Sequence, residues 1–336
     1  MKKIISSVIL ILSIVVLTGC VNIVDDKDDD FETITITQEV TKADSRTDEN
    51  ATKETISEVV PVNPKNVAVF DYGILDILDE VGLETLGIEK LAVVKSNLPT
   101  YLSKYSGQTY GIAGASLFEP SFDELDLFDA DLVIISGRSA WAYNSLKKEL
   151  NNVAVLSLAV DNTDYLNSVL DNLDILKQIF DGNTAFDALK KTLSTKTSEL
   201  EETVSQSGLK ALIVMTNGSA ISGYGIGSRF GFVHNELGFV AADDKFGNGD
   251  TNAHGDNISF EYISELNPDV IFVVDRTAAT SDDTSSQILD VTLVNETNAG
   301  KNNRVILLDS TAWYLVSGGY NSTLVMIADA QKVFNR

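Results

Sequence analysis

Ser121-Phe122-Asp123-Glu124-Leu125, running on to Asp131-Leu132-Val133-Ile134-Ile135-Ser136-Gly137-Arg138, returns 138 positions later as Ser259-Phe260-Glu261-Tyr262-Ile263, running on to Asp269-Val270-Ile271-Phe272-Val273-Val274-Asp275-Arg276. The serine, the phenylalanine, the later aspartate and the final arginine are identical, and the apolar positions exchange only among aliphatic and aromatic side chains. Each apolar run is short and rich in β-branched residues, as strands buried on both faces are, and each follows an amphipathic turn of helix. A duplicated helix–strand unit predicts an α/β fold with two Rossmann-like lobes. In open α/β sheets ligands lie beyond the carboxyl ends of the strands, which is where both arginines fall. With the lobes facing one another, Arg138 and Arg276 enter one cleft from opposite sides.

A second, shorter repeat supports the duplication. Asn151-Asn152-Val153-Ala154-Val155-Leu156 is similar to Asn302-Asn303-Arg304-Val305-Ile306-Leu307, so each lobe should carry an equivalent later strand. Val67-Ala68-Val69-Phe70 opens the first lobe, followed by a helical pattern through Ile74, Leu75, Ile77 and Leu78. Between the lobes, 163–180 and 185–204 show helical spacing, with Leu166, Val169, Leu170, Leu173, Leu176 and Ile179 on one stripe. Gly208 marks a helix stop before the strand-like Ala211-Leu212-Ile213-Val214-Met215. These patterns bound a first lobe over 61–160, connecting helices over 161–206 and a second lobe over 207–336. A long helix between lobes predicts a stiff connection.

The start of the chain lies outside that fold. Lys2 and Lys3 precede a mainly apolar run from Ile4 to Leu17, too short for a comfortable membrane span, so 1–19 reads as a secretory signal. Cys20, the only cysteine, follows Leu17-Thr18-Gly19 and resembles the lipobox of bacterial lipoproteins, whose cysteine becomes the lipidated first residue of a membrane-anchored, extracytoplasmic protein, acylated with chains such as palmitate. No disulfide is then possible, and the fold must rest on its core. Residues 20–60, with Asp25, Asp26, Asp28, Asp29 and Asp30 and few large apolar side chains, read as a disordered acidic tether. The net charge of -24 argues against nucleic acid or anionic lipid headgroups as partners. A chain this acidic binds an anion only through a local positive cluster, which gives weight to every arginine in the cleft.

Signatures of enzymatic chemistry are absent. Gly223-x-Gly225-x-Gly227 departs from a dinucleotide loop because the third glycine would fall on Ser228, and no G-x-S-x-G, H-E-x-x-H or C-x-x-C occurs. With two histidines and no mature thiol, the chain reads as a non-enzyme with no intrinsic cofactor. The glycine run leads instead into Ser228-Arg229-Phe230-Gly231-Phe232-Val233-His234, and Asp309-Ser310-Thr311-Ala312-Trp313-Tyr314 comes after the last strand pattern of the same lobe. Trp313 and Trp141 read as packing residues, Tyr143, Tyr224 and Tyr320 as rim candidates, and His254 as part of a polar loop.

The lipobox, the acidic segment, the two-lobed repeat, Ser228-Arg229-Phe230-Gly231 with His234, the run Asn267 to Arg276 and Trp313-Tyr314-Leu315-x-Ser317-Gly318 together resemble the siderophore-binding lipoproteins of iron ABC importers. The helical-backbone binding proteins that take up ferric catecholates of the petrobactin type are most similar. The resemblance implies a monomer that captures a ferric siderophore and delivers it to an ABC permease. It places three cleft arginines at Arg138, Arg229 and Arg276 and iron ligands at His234 and Tyr314. It also assigns one permease-docking carboxylate to each lobe, at Asp123 and Glu261. Glutamate is usual there, so Asp123 is a departure that Glu119 or Glu124 could cover.

The chemistry is consistent. Ferric iron favours hard oxygen donors, and a two-catechol siderophore leaves coordination positions that a phenolate and an imidazole could fill. Ferric catecholates are anionic with electron-rich rings, which guanidinium both neutralises and stacks upon. The rival cargo is haem or a corrinoid, which also uses His or Tyr as axial ligand. A secreted hydrolase or surface adhesin is the rival of another class, disfavoured by the missing nucleophile motif and by the repeat.

Overall fold

The computed structural model describes residues 32–150, 153–246, 255–280 and 291–335. The signal segment 1–19, Cys20 and His254 lie outside the described residues.

A hairpin of β1 (Thr33–Lys42) and β2 (Thr52–Pro61) precedes the first lobe. The lobe's sheet is made of β3 (Asn66–Val69), β4 (Lys90–Val93), β5 (Gly111–Ile112), β8 (Leu132–Ile135) and β9 (Ala154–Ser157). Helices α1 (Tyr72–Val81), α2 (Phe122–Phe128) and α3 (Tyr143–Glu149) connect them, with the small hairpin β6 (Gly114–Ser116) and β7 (Glu119–Pro120) before α2. The five strands are all parallel, in the order β5-β4-β3-β8-β9. Every residue of β8 is buried, as the unbroken Leu-Val-Ile-Ile run requires of a central parallel strand.

Two helices come next, α4 (Tyr165–Ile179) and α5 (Ala185–Ser207), and they pack on each other. The turn between them puts Asp181 and Gly182 at positive φ, and Gly208 ends α5 in the left-handed conformation expected of a helix stop. At 23 residues α5 is about 35 Å long.

The second lobe is built on β10 (Lys210–Asn217), β11 (Ala220–Tyr224), β12 (Val240–Ala241), β13 (Asp256–Asn257), β14 (Val270–Asp275) and β15 (Val305–Leu307). Its helices are α6 (Phe232–Asn235), α7 (Phe260–Leu266), α8 (Arg276–Thr280), α9 (Thr292–Asn295), α10 (Asn298–Lys301) and the C-terminal α11 (Tyr320–Gln331). The sheet order is β13-β11-β10-β14-β15, with β12 beside β10. β14 and β15 run parallel to β10 as β8 and β9 run to β3, so the repeat is real in three dimensions. Even its cap geometry recurs, because α2 ends at Asp129 and α7 at Asn267, both left-handed. The repeated aspartates play the same part. The Asp131 carboxylate accepts from the Lys65 and Asn66 amides, both at 2.7 Å, and the Asp269 carboxylate accepts from the Lys210 amide at 3.1 Å.

The other half of the second sheet departs from the parallel pattern. β11 turns back on β10 through Gly218-Ser219, with Gly218 at φ 59°, and β13 runs antiparallel to β11. Gly218-Ser219 is a two-residue hairpin signal, and it overrides the parallel expectation here.

The tether reading fails over 33–60. β1 and β2 form a ten-residue antiparallel ladder that packs on β9. Averaged composition hides the alternation that drives it: Ile36, Gln38, Val40, Glu58 and Val60 are buried on one face while threonines occupy the other. The two buried polar side chains satisfy the free edge of β9. Gln38 donates to the Val155 carbonyl at 2.9 Å and accepts from the Ser157 amide at 2.6 Å, and Glu58 accepts from the Val155 amide at 3.2 Å.

α11 also crosses the boundary drawn at 207. It packs against α1 of the first lobe and against α5. Tyr165 on α4 shares a 2.9 Å hydrogen bond with Thr323 and accepts from the Gly318 amide, and Asp76 on α1 accepts from the Ser322 amide at 3.1 Å. The lobes are therefore joined by a three-helix contact as well as by the helical connection.

Candidate functional site

Tyr314 is the centre on which both lobes converge. It lies in a π-helical turn, Thr311–Leu315, whose start is capped by Asp309 accepting from the Ala312 amide at 2.9 Å. Its neighbour Trp313 is buried, donates from Nε1 to the Asp329 carboxylate at 3.0 Å and packs against Phe230 and Phe232. With Trp313 fixed inward, Tyr314 is half-buried at the cleft.

Three guanidiniums surround that phenol. Arg229 stacks on its ring at 4.1 Å and donates to the Tyr314 carbonyl at 2.8 Å. Arg276, at the carboxyl end of β14, donates from Nε to the phenol oxygen at 2.9 Å and from a terminal nitrogen to Asn217 Oδ1 at 3.1 Å. Arg138 reaches across from the first lobe to the Tyr314 carbonyl at 2.6 Å and the Leu315 carbonyl at 3.3 Å. The guanidinium carbons of Arg138 and Arg276 stand 5.9 and 5.8 Å from the ring centre.

The supports are local. The loop after β8 is pinned by Ser136 donating to Asp71 at 2.5 Å, while Asp71 also caps α1 by accepting from the Gly73 and Ile74 amides. Arg276 comes directly after Asp275, which accepts from the Thr277 and Ala278 amides. Arg229 sits between Ser228, which donates to the Gly225 carbonyl at 2.6 Å, and Phe230, which packs edge-on against Tyr224. The glycines before it serve packing: a Cβ on Gly225 would lie 2.5 Å from the Phe246 carbonyl oxygen.

Electrostatically the cluster is uncompensated. Every salt bridge among the described residues uses lysine, and none touches these three arginines. Burial raises the Tyr314 phenol, but the Arg276 hydrogen bond and the charges of Arg229, Arg276 and Arg138 outweigh it and hold the group below its ordinary range. Burial and the Arg138 charge make the Arg229 cation less favourable than usual. Such a site gains from a bound anion that neutralises it.

His234 is buried on α6, with Nδ1 2.9 Å from the Phe239 carbonyl oxygen and Nε2 without a hydrogen-bond partner, and burial holds its imidazole in the neutral form. None of the hydrogen bonds or ring contacts described around Tyr314 includes it. Among the described residues no group of three or more His, Cys, Asp or Glu side chains is placed to hold a metal ion. Asp123 and Glu261 occupy the same exposed place, the second residue of α2 and of α7. Of the rim candidates, Tyr143 instead donates to Glu58 under the hairpin, and Tyr224 is buried with its phenol pushed up to about 12. Asn217 joins the site without a motif of its own; its place beside the Gly218-Ser219 turn is the one signal the sequence carries for it.

The profile of the family described as periplasmic binding protein matches residues 67–312. The chain is 36% identical to the petrobactin-binding protein YclQ of Bacillus subtilis over 84% of its own length and 85% of the relative's. It is 28% identical to the ferric-anguibactin-binding protein FatB of Vibrio anguillarum, over 82% and 84%. Among solved structures, YclQ superposes with a TM-score of 0.74 at 35% identity, covering 89% of this chain and 99% of the other. The periplasmic catecholate-siderophore binding protein VctP of Vibrio cholerae gives 0.75 at 30% identity, covering 88% and 100%.

Proposed function

Because the chain belongs to the periplasmic binding protein family, we propose that it is the extracytoplasmic receptor of an iron ABC importer and that its cargo is a ferric catecholate siderophore. The observation that carries the cargo is the ring of three guanidiniums, none paired with a carboxylate, around one phenol. An anionic, ring-bearing complex meets both needs of that site, charge neutralisation and stacking. The relatives named for petrobactin and for catecholate siderophores support the same class.

Tyr314, with its phenol already biased toward the phenolate, is the side chain that completes the coordination of a ferric ion left open by a two-catechol ligand. His234, whose Nε2 has no hydrogen-bond partner, is the second candidate iron ligand. Asp123 and Glu261 are the docking acids for the permease; the Glu261 carboxyl is held below the usual range by its own amide and by Ser259. Cys20 is the lipid anchor, with more than one acyl chain because a single chain binds membranes only marginally.

The test is a titration of purified protein with ferric bis-catecholate, tris-catecholate and hydroxamate complexes and with haem, followed by tryptophan quenching and the visible spectrum. Tight binding of the catecholates and poor binding of the neutral hydroxamates are expected. Tyr314→Phe should weaken the bis-catecholate far more than the tris-catecholate and shift its charge-transfer band. A Soret band at stoichiometric haem, or preference for a neutral complex, overturns the assignment.

A further inference from the structure

Asn217 ends β10, at the carboxyl edge of the second lobe's sheet, and Gly218 opens the turn back into β11. Both are exposed. The other Asn-Gly pair of the chain, Asn248-Gly249, lies outside the described residues. An asparagine followed by glycine is chemically labile, because the next backbone nitrogen can reach the side-chain carbonyl carbon with no Cβ in the way. A Cβ on Gly218 would meet nothing within 4 Å beyond its chain neighbours, so water and base have open access to the turn. One contact opposes attack: the Gly218 amide donates to Thr277 Oγ1 at 3.2 Å, the long end of the range for such a bond.

The cleft supplies an activating contact. Arg276 donates to Asn217 Oδ1 at 3.1 Å, and that oxygen is the atom that takes up negative charge when the side-chain carbonyl is attacked. A guanidinium placed there polarises the carbonyl and stabilises the oxyanion, as fixed donors do in acyl transfer. The steps balance with water alone. The Gly218 nitrogen gives up its proton to base and bonds to Asn217 Cγ, the bond from Cγ to the side-chain nitrogen breaks, and ammonia leaves. Water then opens the succinimide to an aspartate or an isoaspartate. Either product puts a carboxylate beside Arg276, where none of the three cleft arginines has one among the described residues.

We propose that Asn217 is a site of spontaneous deamidation built into the cleft, and that the carboxylate it yields pairs with Arg276 and weakens the hold on anionic ligands. The loss of affinity rests on the ferric catecholate reading of the cleft, whereas the modification and the pairing do not. An Asn-Gly turn elsewhere on the surface would change only the net charge; here the new charge lands on one of the three guanidiniums around Tyr314.

The experiment ages the full chain in warm, mildly alkaline buffer and follows by mass the proteolytic peptide that contains Asn217. The wild type should convert at this peptide and Thr277→Ala should convert faster, while Arg276→Gln converts severalfold more slowly and Asn217→Gln not at all. Recombinant Asn217→Asp supplies the end state. It should bind a ferric bis-catecholate about fivefold more weakly than fresh wild type, the scale of one part-exposed charge pair, and should lose much less in an Arg276→Gln background. Without ligand, Asn217→Asp should raise the melting temperature only where Arg276 is present. Absence of conversion in the folded chain, while the same peptide converts once unfolded, overturns the modification site. A melting shift or an affinity loss that is equal with and without Arg276 overturns the pairing. If fresh wild type binds no ferric catecholate, the siderophore reading fails by itself, and the mass and melting measurements still decide the modification.

Discussion

The two lobes carry the same helix–strand–arginine unit and use its arginine differently. In the second lobe Arg276 contacts the phenol oxygen of Tyr314 directly, within its own lobe, and Arg229 and Asn217 come from that lobe as well. In the first lobe Arg138 reaches over the cleft to two backbone carbonyls of the second. The difference traces to the path of the chain after each repeat. Past β14 and β15 it returns through the Tyr314 turn and α11, whereas past β9 it leaves into α4. A duplicated scaffold therefore yields one lobe that builds the ligand platform and one that reaches over it.

The largest effect tests whether the lobes are equal toward the permease. Asp123→Ala with Glu261→Ala should leave siderophore affinity within twofold and abolish uptake of labelled complex by cells. Of the single variants, Glu261→Ala should cost more, since Glu124 on the exposed start of α2 and Glu119 in β7 just before it are close in sequence to Asp123. Normal uptake by the double variant would remove these residues from docking.

A second test addresses the seam where α1 meets α11. Burial raises the Asp76 carboxyl to about 6 from 3.8, against the hydrogen bonds from Ser322 and Asn321 that favour its charge. A raised folded-state value means stability is fully present below pH 3.8 and is lost as pH climbs through 6, by at most about 3 kcal/mol. Denaturant unfolding of Asp76→Asn should lack that component. The variant should gain on the wild type between about pH 4 and about pH 6 to 7 and run parallel above; a difference independent of pH would show that Asp76 stays ionised in the fold.

These features are unequally legible in the sequence. The strands of the repeat can be read because a buried parallel strand is a run of apolar residues, and the cleft arginines because they end those runs. The hairpin β1–β2 is hidden by composition: threonine and glutamate alternate with Ile36 and Val40, and only the period-two pattern shows a buried face. Chemistry and sequence neighbourhood both suit His234 to a ligand role, while its burial beside Phe239 is decided by tertiary packing that no local pattern records. The crossing of α11 onto α1 likewise depends on long-range contacts that no local pattern records.

Within the cleft, Arg229→Gln and Arg276→Gln should each weaken ferric catecholate binding by about 1–3 kcal/mol, the range for removing one partner of a charge-assisted contact. Arg138→Gln should sit at the low end. All three side chains are tied in the ligand-free fold, but Arg138 alone spends two bonds on backbone carbonyls across the lobes, where Arg229 spends one, so its removal relieves more of the ties that the ligand must compete with. Isothermal titration of the three variants checks the ranking, and an Arg138 loss larger than both others would make the first lobe the dominant anchor.

The smallest effect separates the two repeat arginines most directly, through the acidity of Tyr314. Arg276 acts by a hydrogen bond to the phenol oxygen as well as by charge, whereas Arg138 acts by charge alone, and it is the last of the contributions that lower the group. A positive neighbour favours the phenolate, so removing either arginine must raise the titration midpoint; the sign is the same and the sizes differ. Ultraviolet difference titration of the apo protein, with Tyr314→Phe as the subtraction blank, should show Tyr314 ionising below the ordinary tyrosine range. Arg276→Gln should lift the midpoint clearly, because burial then acts with less opposition, and Arg138→Gln should lift it only slightly. Equal shifts from both would mean that the phenol feels only net charge and that the lobes, despite their different hydrogen bonds, are electrostatically equivalent at Tyr314.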